Sequence, residues 1–72
     1  MKTLTEAEAR EAFAEIDGRN YSSVVLRNYF GTGRTVMQAR VGHCGGTDYS
    51  DVGLVDDATA KCLIALGATD WR

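Results

Sequence analysis

Cysteine is scarce in this chain: Cys44 and Cys62 are the only two among 72 residues. Disulfide scaffolds carry more cysteines and an export signal. The expectation is a cytoplasmic protein with two reduced thiols, one disulfide between them remaining as the alternative. Long apolar runs are also missing. The best candidate, Cys62 to Ala68, is interrupted by Gly67 and falls well short of the roughly 20 residues that span a bilayer. Glu6, Glu8, Arg10 and Glu11 break the place where a signal peptide would be apolar. Charge of one sign is missing too, since eight Lys and Arg stand against ten Asp and Glu. That excludes a polybasic tail and a polyacidic run. With so short a chain the core is thin, and one small domain over residues 1–72 is expected.

Catalytic and metal signatures are equally sparse. His43-Cys44 is the one place where two reactive groups adjoin. Neighbours on an extended chain point to opposite faces, and a nucleophile pair also needs an orienting third group. A zinc site wants four ligands, usually in two close pairs; only His43, Cys44, Cys62 and an acid such as Asp48 are on hand, without a C-x-x-C. Buried cysteines with His43 at a loop edge are the plainer expectation. Gly31-Thr32-Gly33-Arg34 lacks the spacing of a phosphate loop and reads as a hairpin turn. No enzyme activity, cofactor or metal is expected.

What the chain does contain is an α+β pattern. Thr3 with Glu6 and Thr5 with Glu8 both fit the T-x-x-E capping box, opening a helix over residues 3–17. Thr5, Ala9, Ala12, Phe13 and Ile16 share its apolar face, while Glu8, Glu11 and Glu15 form an acidic stripe. Gly18 ends it. Tyr21 to Gly42 reads as an antiparallel hairpin turning at Gly31-Thr32-Gly33. Val24, Leu26 and Phe30 share one parity on its outgoing strand, and Val25, Arg27 and Tyr29 the other. On the return strand Met37, Ala39 and Val41 are expected to face the core. Gly42 to Ser50 is expected to be a loop. Val52–Val55 gives a short third strand, with Gly53 weighing against it. Asp56 or Asp57 caps a final helix whose core face is Thr59, Cys62, Leu63 and Leu66. Gly67 ends that helix, and Trp71 is expected to fold back onto the core. The architecture is thus an N-terminal helix, a hairpin or small three-stranded sheet, and a C-terminal helix on one face.

Charge is distributed unevenly. Residues 1–19 hold Glu6, Glu8, Glu11, Glu15 and Asp17 against Lys2, Arg10 and Arg19; residues 20–47 hold Arg27, Arg34 and Arg40 and no acid; residues 48–72 hold Asp48, Asp51, Asp56, Asp57 and Asp70 against Lys61 and Arg72. Acidic segments flank a basic hairpin. Solvated helix faces and capping account for part of this. The functional alternative is an acidic surface that fits a basic groove on another protein, its carboxylates standing where phosphates would. Glu8, Glu11 and Glu15 are its candidates on one helix, with Asp48, Asp51, Asp56 and Asp57 as a second group.

The short chain, the hairpin Tyr21 to Val41 and the helix Asp57 to Leu66 together resemble small phage and mobile-element proteins, in particular the type I anti-CRISPR inhibitors. That resemblance covers most of the chain but includes no specific motif, so no residue role transfers with it. It implies a non-enzymatic inhibitor that binds a Cas protein, in several cases by presenting acids where DNA would sit; a monomer or homodimer is expected. Two other readings stand beside it. Arg27, Tyr29, Arg34 and Arg40 with Tyr21 give a basic, aromatic sheet face suited to nucleic acid, although the RNP pattern is absent. An oligomeric phage structural or assembly protein is the third.

Overall fold

A computed structural model describes residues 1–72. The fold is α+β. Helix α1 spans Glu6–Ile16. Thr5 caps it: its hydroxyl accepts from the Glu8 amide at 3.1 Å, and the Glu8 carboxylate accepts from the Thr5 amide at 3.0 Å. Two orphan donors of the first turn are thereby satisfied. Asp17 is the C-cap, and Gly18 turns the chain with φ 78°.

Strands β1 (Ser22–Asn28) and β2 (Thr35–His43) pair antiparallel, with Leu26 opposite Met37 and Val24 opposite Ala39. Strand β3 (Gly46–Val55) then pairs antiparallel with β2 along its whole length, down to His43 opposite Gly46. The segment 42–50 is therefore not a loop: it is a second hairpin turning at Cys44-Gly45. Its strand half, Gly46 to Asp51, is exposed throughout, so no buried alternation marked it in the sequence. The third strand is real and more than twice the expected length.

One bulge interrupts this pairing. Met37 faces Gly53 but Gln38 faces Asp51, leaving Val52 as the extra residue. The bulge lets Val52 pack against the core while Asp51 keeps to the opposite face.

Helix α2 spans Asp57–Leu66 and is capped by Asp56, whose carboxylate accepts from the Thr59 amide at 2.8 Å. Gly67, at φ 122°, ends it by donating to the Leu63 and Ile64 carbonyls. A two-residue strand β4 (Thr69–Asp70) then runs parallel to β1, giving a mixed sheet in the order β3-β2-β1-β4. At the opposite edge, Leu4 donates to the Leu54 carbonyl and Leu54 to the Lys2 carbonyl, at 2.8 and 2.9 Å. Gly53 permits that approach: a Cβ there would lie 2.7 Å from Leu4 Cγ and 2.9 Å from the Lys2 oxygen.

Both helices cover one sheet face. Ala9 and Phe13 from α1, Ala60 and Leu63 from α2, and Ala68 enclose Val24, Leu26, Met37 and Val55. The expected core faces hold for Phe13, Leu63, Val24, Leu26 and Met37. Phe30 departs from its parity: it sits in the β1–β2 turn at φ 47°, and is 88% exposed. Cys44 is exposed at the second hairpin turn and Cys62 half-buried, both as free thiols, so the pair is not buried together. No helix is long and apolar enough to cross a membrane.

Candidate functional site

The seven acids singled out in the sequence are spread over α1, β3 and the start of α2, and most already have local work. Glu8 closes the α1 capping box and accepts from the Lys2 ammonium. The Lys2 hydrogen bond, then those from Thr5, hold its carboxyl down to about 2. Asp56 caps α2, and its hydrogen bonds from Thr59 lower its pKa. Asp48 lies 3.0 Å from His43 Nε2. Asp51 accepts from Gln38 Nε2 at 2.7 Å. Asp57 is 3.5 Å from Arg72, which mainly pairs with Asp70 at 2.9 Å. The Arg72 hydrogen bond lowers the Asp70 pKa, and Asp70 in turn raises that of Arg72. Only Glu11 and Glu15 remain exposed on α1 with no hydrogen bond or ion pair.

His43 is bonded within the second hairpin and not to Cys44. His43 Nδ1 accepts from the Gly45 amide at 3.1 Å while Nε2 meets Asp48, so both nitrogens serve the hairpin turn. No group of three or more His, Cys, Asp or Glu side chains is placed to hold a metal ion.

The sheet face turned away from the helices has a more specific arrangement. The ladders set it out in rows. Leu54, Val36 and Arg27 form one; Asp51, Gln38, Val25 and Thr69 form the next; Tyr49, Arg40 and Ser23 form the third. Trp71 follows β4 and donates its amide to the Leu26 carbonyl at 2.8 Å, which sets it beside Arg27. It does not return to the core, as the sequence led one to expect; the short parallel pairing of β4 carries it to the other face.

Arg27 reaches from the first row to the third. Its guanidinium carbon is 4.5 Å from the Tyr49 ring centroid and 4.9 Å from that of Trp71. Arg40 sits 5.4 Å from the same indole. The two rings are 6.2 Å apart and tilted by 55°. Arg27 and Arg40 take no part in any ion pair. Contacts of this kind contribute about 0.5–1 kcal/mol each at exposed sites, enough to orient the arginines but too little to neutralise them. Tyr49 and Trp71 remain 40% and 42% exposed, so their outer surfaces are open to a ligand.

Arg27 also borders a recess of about 180 Å³ with Tyr29, Phe30, Gln38 and Asp51. Tyr29 and Phe30 have ring centroids 4.8 Å apart. Arg27 Nε and Gln38 Oε1 are buried and have no hydrogen-bond partner. Such orphaned groups are uncommon.

Of the basic and aromatic residues expected on a sheet face, Arg27, Arg40 and Tyr29 belong here. Arg34 does not: it donates to the Thr3 hydroxyl at 3.2 Å. Tyr21 is 91% exposed in the turn before β1, at φ 61°. Tyr49 and Trp71 were missed. Tyr49 fell in the supposed loop, on a stretch of β3 that is exposed throughout and carries no apolar alternation. Against this geometry, no protein-family model, no curated protein and no solved structure matches the chain.

Proposed function

We propose that the chain is a non-enzymatic binding protein of the host-cell cytoplasm that inhibits a nucleic-acid-handling complex, docking through its helix-free sheet face. The observation that carries this reading is the Arg27–Arg40–Tyr49–Trp71 cluster. Trp, Tyr and Arg are the residues that dominate binding energy at interfaces. Here they are stacked on one another, which limits the side-chain ordering that binding would otherwise cost. The inhibitor role comes from the resemblance to type I anti-CRISPR proteins, whose mode is occupation rather than catalysis.

A tagged chain is mixed with purified type I Cascade and its separate subunits, and co-migration on size exclusion is followed at two salt concentrations. Trp71→Ala and Arg40→Glu are expected to abolish co-migration, the exposed Arg40 variant with its thermal melt near that of the parent and the Trp71 variant with its helices intact. Retention of the complex by both variants would overturn this docking face.

A second reading keeps the acidic surface as the contact, and the observation favouring it is that Glu11 and Glu15 are exposed and unpaired on α1. They would meet a basic nucleic-acid-binding surface on a Cas subunit, and the attraction would weaken with salt. Glu11→Lys with Glu15→Lys is then the variant that loses co-migration, with Arg40→Glu harmless.

A further inference from the structure

We infer that the helix-free face grips a single-stranded nucleic acid, with bases on Tyr49 and Trp71 and phosphates on Arg27 and Arg40. This rests on the docking face proposed above and names what that face holds. Three features argue for a strand over an acidic protein segment or a duplex. Charge comes first. The middle segment of the chain has three arginines and no acid, and two of these arginines converge on this face without carboxylate partners. A phosphate accepts from a guanidinium edge while the guanidinium plane stays stacked on its ring.

The rings come second. Two half-exposed aromatic side chains stand beside the arginines. A base has a π-face to offer them and an acidic peptide does not, while in a duplex that face is spent on neighbouring base pairs. Single-strand binders combine these two elements, a cationic track and stacking platforms.

The recess between Arg27, Tyr29, Phe30 and Gln38 is the third feature. It continues the face from the Trp71 cluster toward the β1–β2 turn, where the Phe30 ring is 88% exposed. Arg27 and Gln38, two of the residues lining it, carry a buried N–H and a buried carbonyl without partners. Asp51, also at its border, disfavours a phosphate. The recess therefore takes a base in preference to a phosphate. The strand runs from Tyr49 and Trp71, past Arg27, to Tyr29 and Phe30.

The probe is a fluorescein-labelled oligothymidylate of about 12 nucleotides, within the length that small sheet platforms accommodate. Anisotropy and the fluorescence of Trp71, the sole tryptophan, are read together. Quenching of Trp71 is expected as anisotropy rises, with a log–log salt slope of about −1.4 for two phosphate contacts on a single strand. Arg40→Glu and Trp71→Ala should each weaken binding by about tenfold or more, and a duplex of equal length should bind more weakly than the single strand. Arg40 is exposed, so its variant keeps the test valid if Trp71→Ala does not fold. No anisotropy change at low salt, binding insensitive to both variants, or preference for the duplex or for polyglutamate would each overturn the inference. If Cascade is captured in a Trp71-dependent way while oligothymidylate fails to bind, the docking face stands and its occupant is protein. If neither binds, both readings fall.

Discussion

On one face of the sheet, Val24, Leu26 and Met37 lie under two helices; on the other, Val25, Val36 and Leu54 are almost as inaccessible with no helix above them. The covered face follows the usual rule for two-layer domains: apolar stripes meet and exclude water. The open face is roofed by long side chains instead. Arg27 spans from the Val36 row to Tyr49, passing across the row of Val25 and Gln38. The stems and rings cover the valines, while the polar ends stay wet. Such a roof can rearrange its tips around a ligand and still shield the apolar residues beneath. The helical cover has no such freedom.

The sharpest way to break the comparison is truncation on each side. Leu26→Ala is expected to cost about 2–5 kcal/mol, because a buried leucine leaves a cavity between sheet and helices. Val25→Ala, equally buried, should cost about 1.5 kcal/mol for two methyl groups under an adjustable roof. Urea melts of the two variants decide it; equal losses would show that the open face is as rigid as the covered one. Gly53→Ala comes next, at about 1–3 kcal/mol. The added methyl would meet the Lys2 carbonyl and Leu4, and faster hydrogen exchange at the Leu4 and Leu54 amides should accompany the loss.

Trp71→Ala sharpens the comparison from the open side. It removes two arginine contacts and one ring contact, so a loss of about 1–2 kcal/mol is expected, with both helices intact by circular dichroism. The smallest effect concerns Glu8. Its carboxyl is held down to about 2 by Lys2 and Thr5. A carboxylate depressed in the folded state adds stability above its unfolded pKa of about 4.3. That contribution fades as pH falls toward 2. Thermal melts from pH 5 to 2 should therefore decline less steeply for Glu8→Gln than for the parent.

How legible this was in the sequence depends on where each signal is stored. The α1 cap was written in Thr5 and Glu8, and the α2 cap in Asp56, because capping is a matter of a few adjacent residues. The first hairpin showed because its apolar residues alternate. Of the two capping boxes, Thr3 with Glu6 failed: residues 2–4 are drawn into pairing with β3, a tertiary contact that the local pattern does not encode. The same holds for β4, whose two residues pair with Val25 and Leu26 only after α2 has crossed the sheet. The candidate site was half visible. Arg27 and Arg40 could be placed on one face by parity, whereas Tyr49 and Trp71 arrive there through a solvent-exposed strand and that late pairing.

Strand β3 has one further consequence. From Gly46 to Asp51 its outer edge has no neighbour, since the N-terminal pairing stops at Gly53 and Leu54. Alternate residues of that stretch thus present free amides and carbonyls to solvent, a ready template for the edge of another molecule. Asp48 and Asp51 stand on that stretch as gatekeepers, their charge discouraging fibre-like stacking. Replacing both aspartates with threonine is therefore expected to promote edge-to-edge aggregation, read by light scattering, without any loss of core packing.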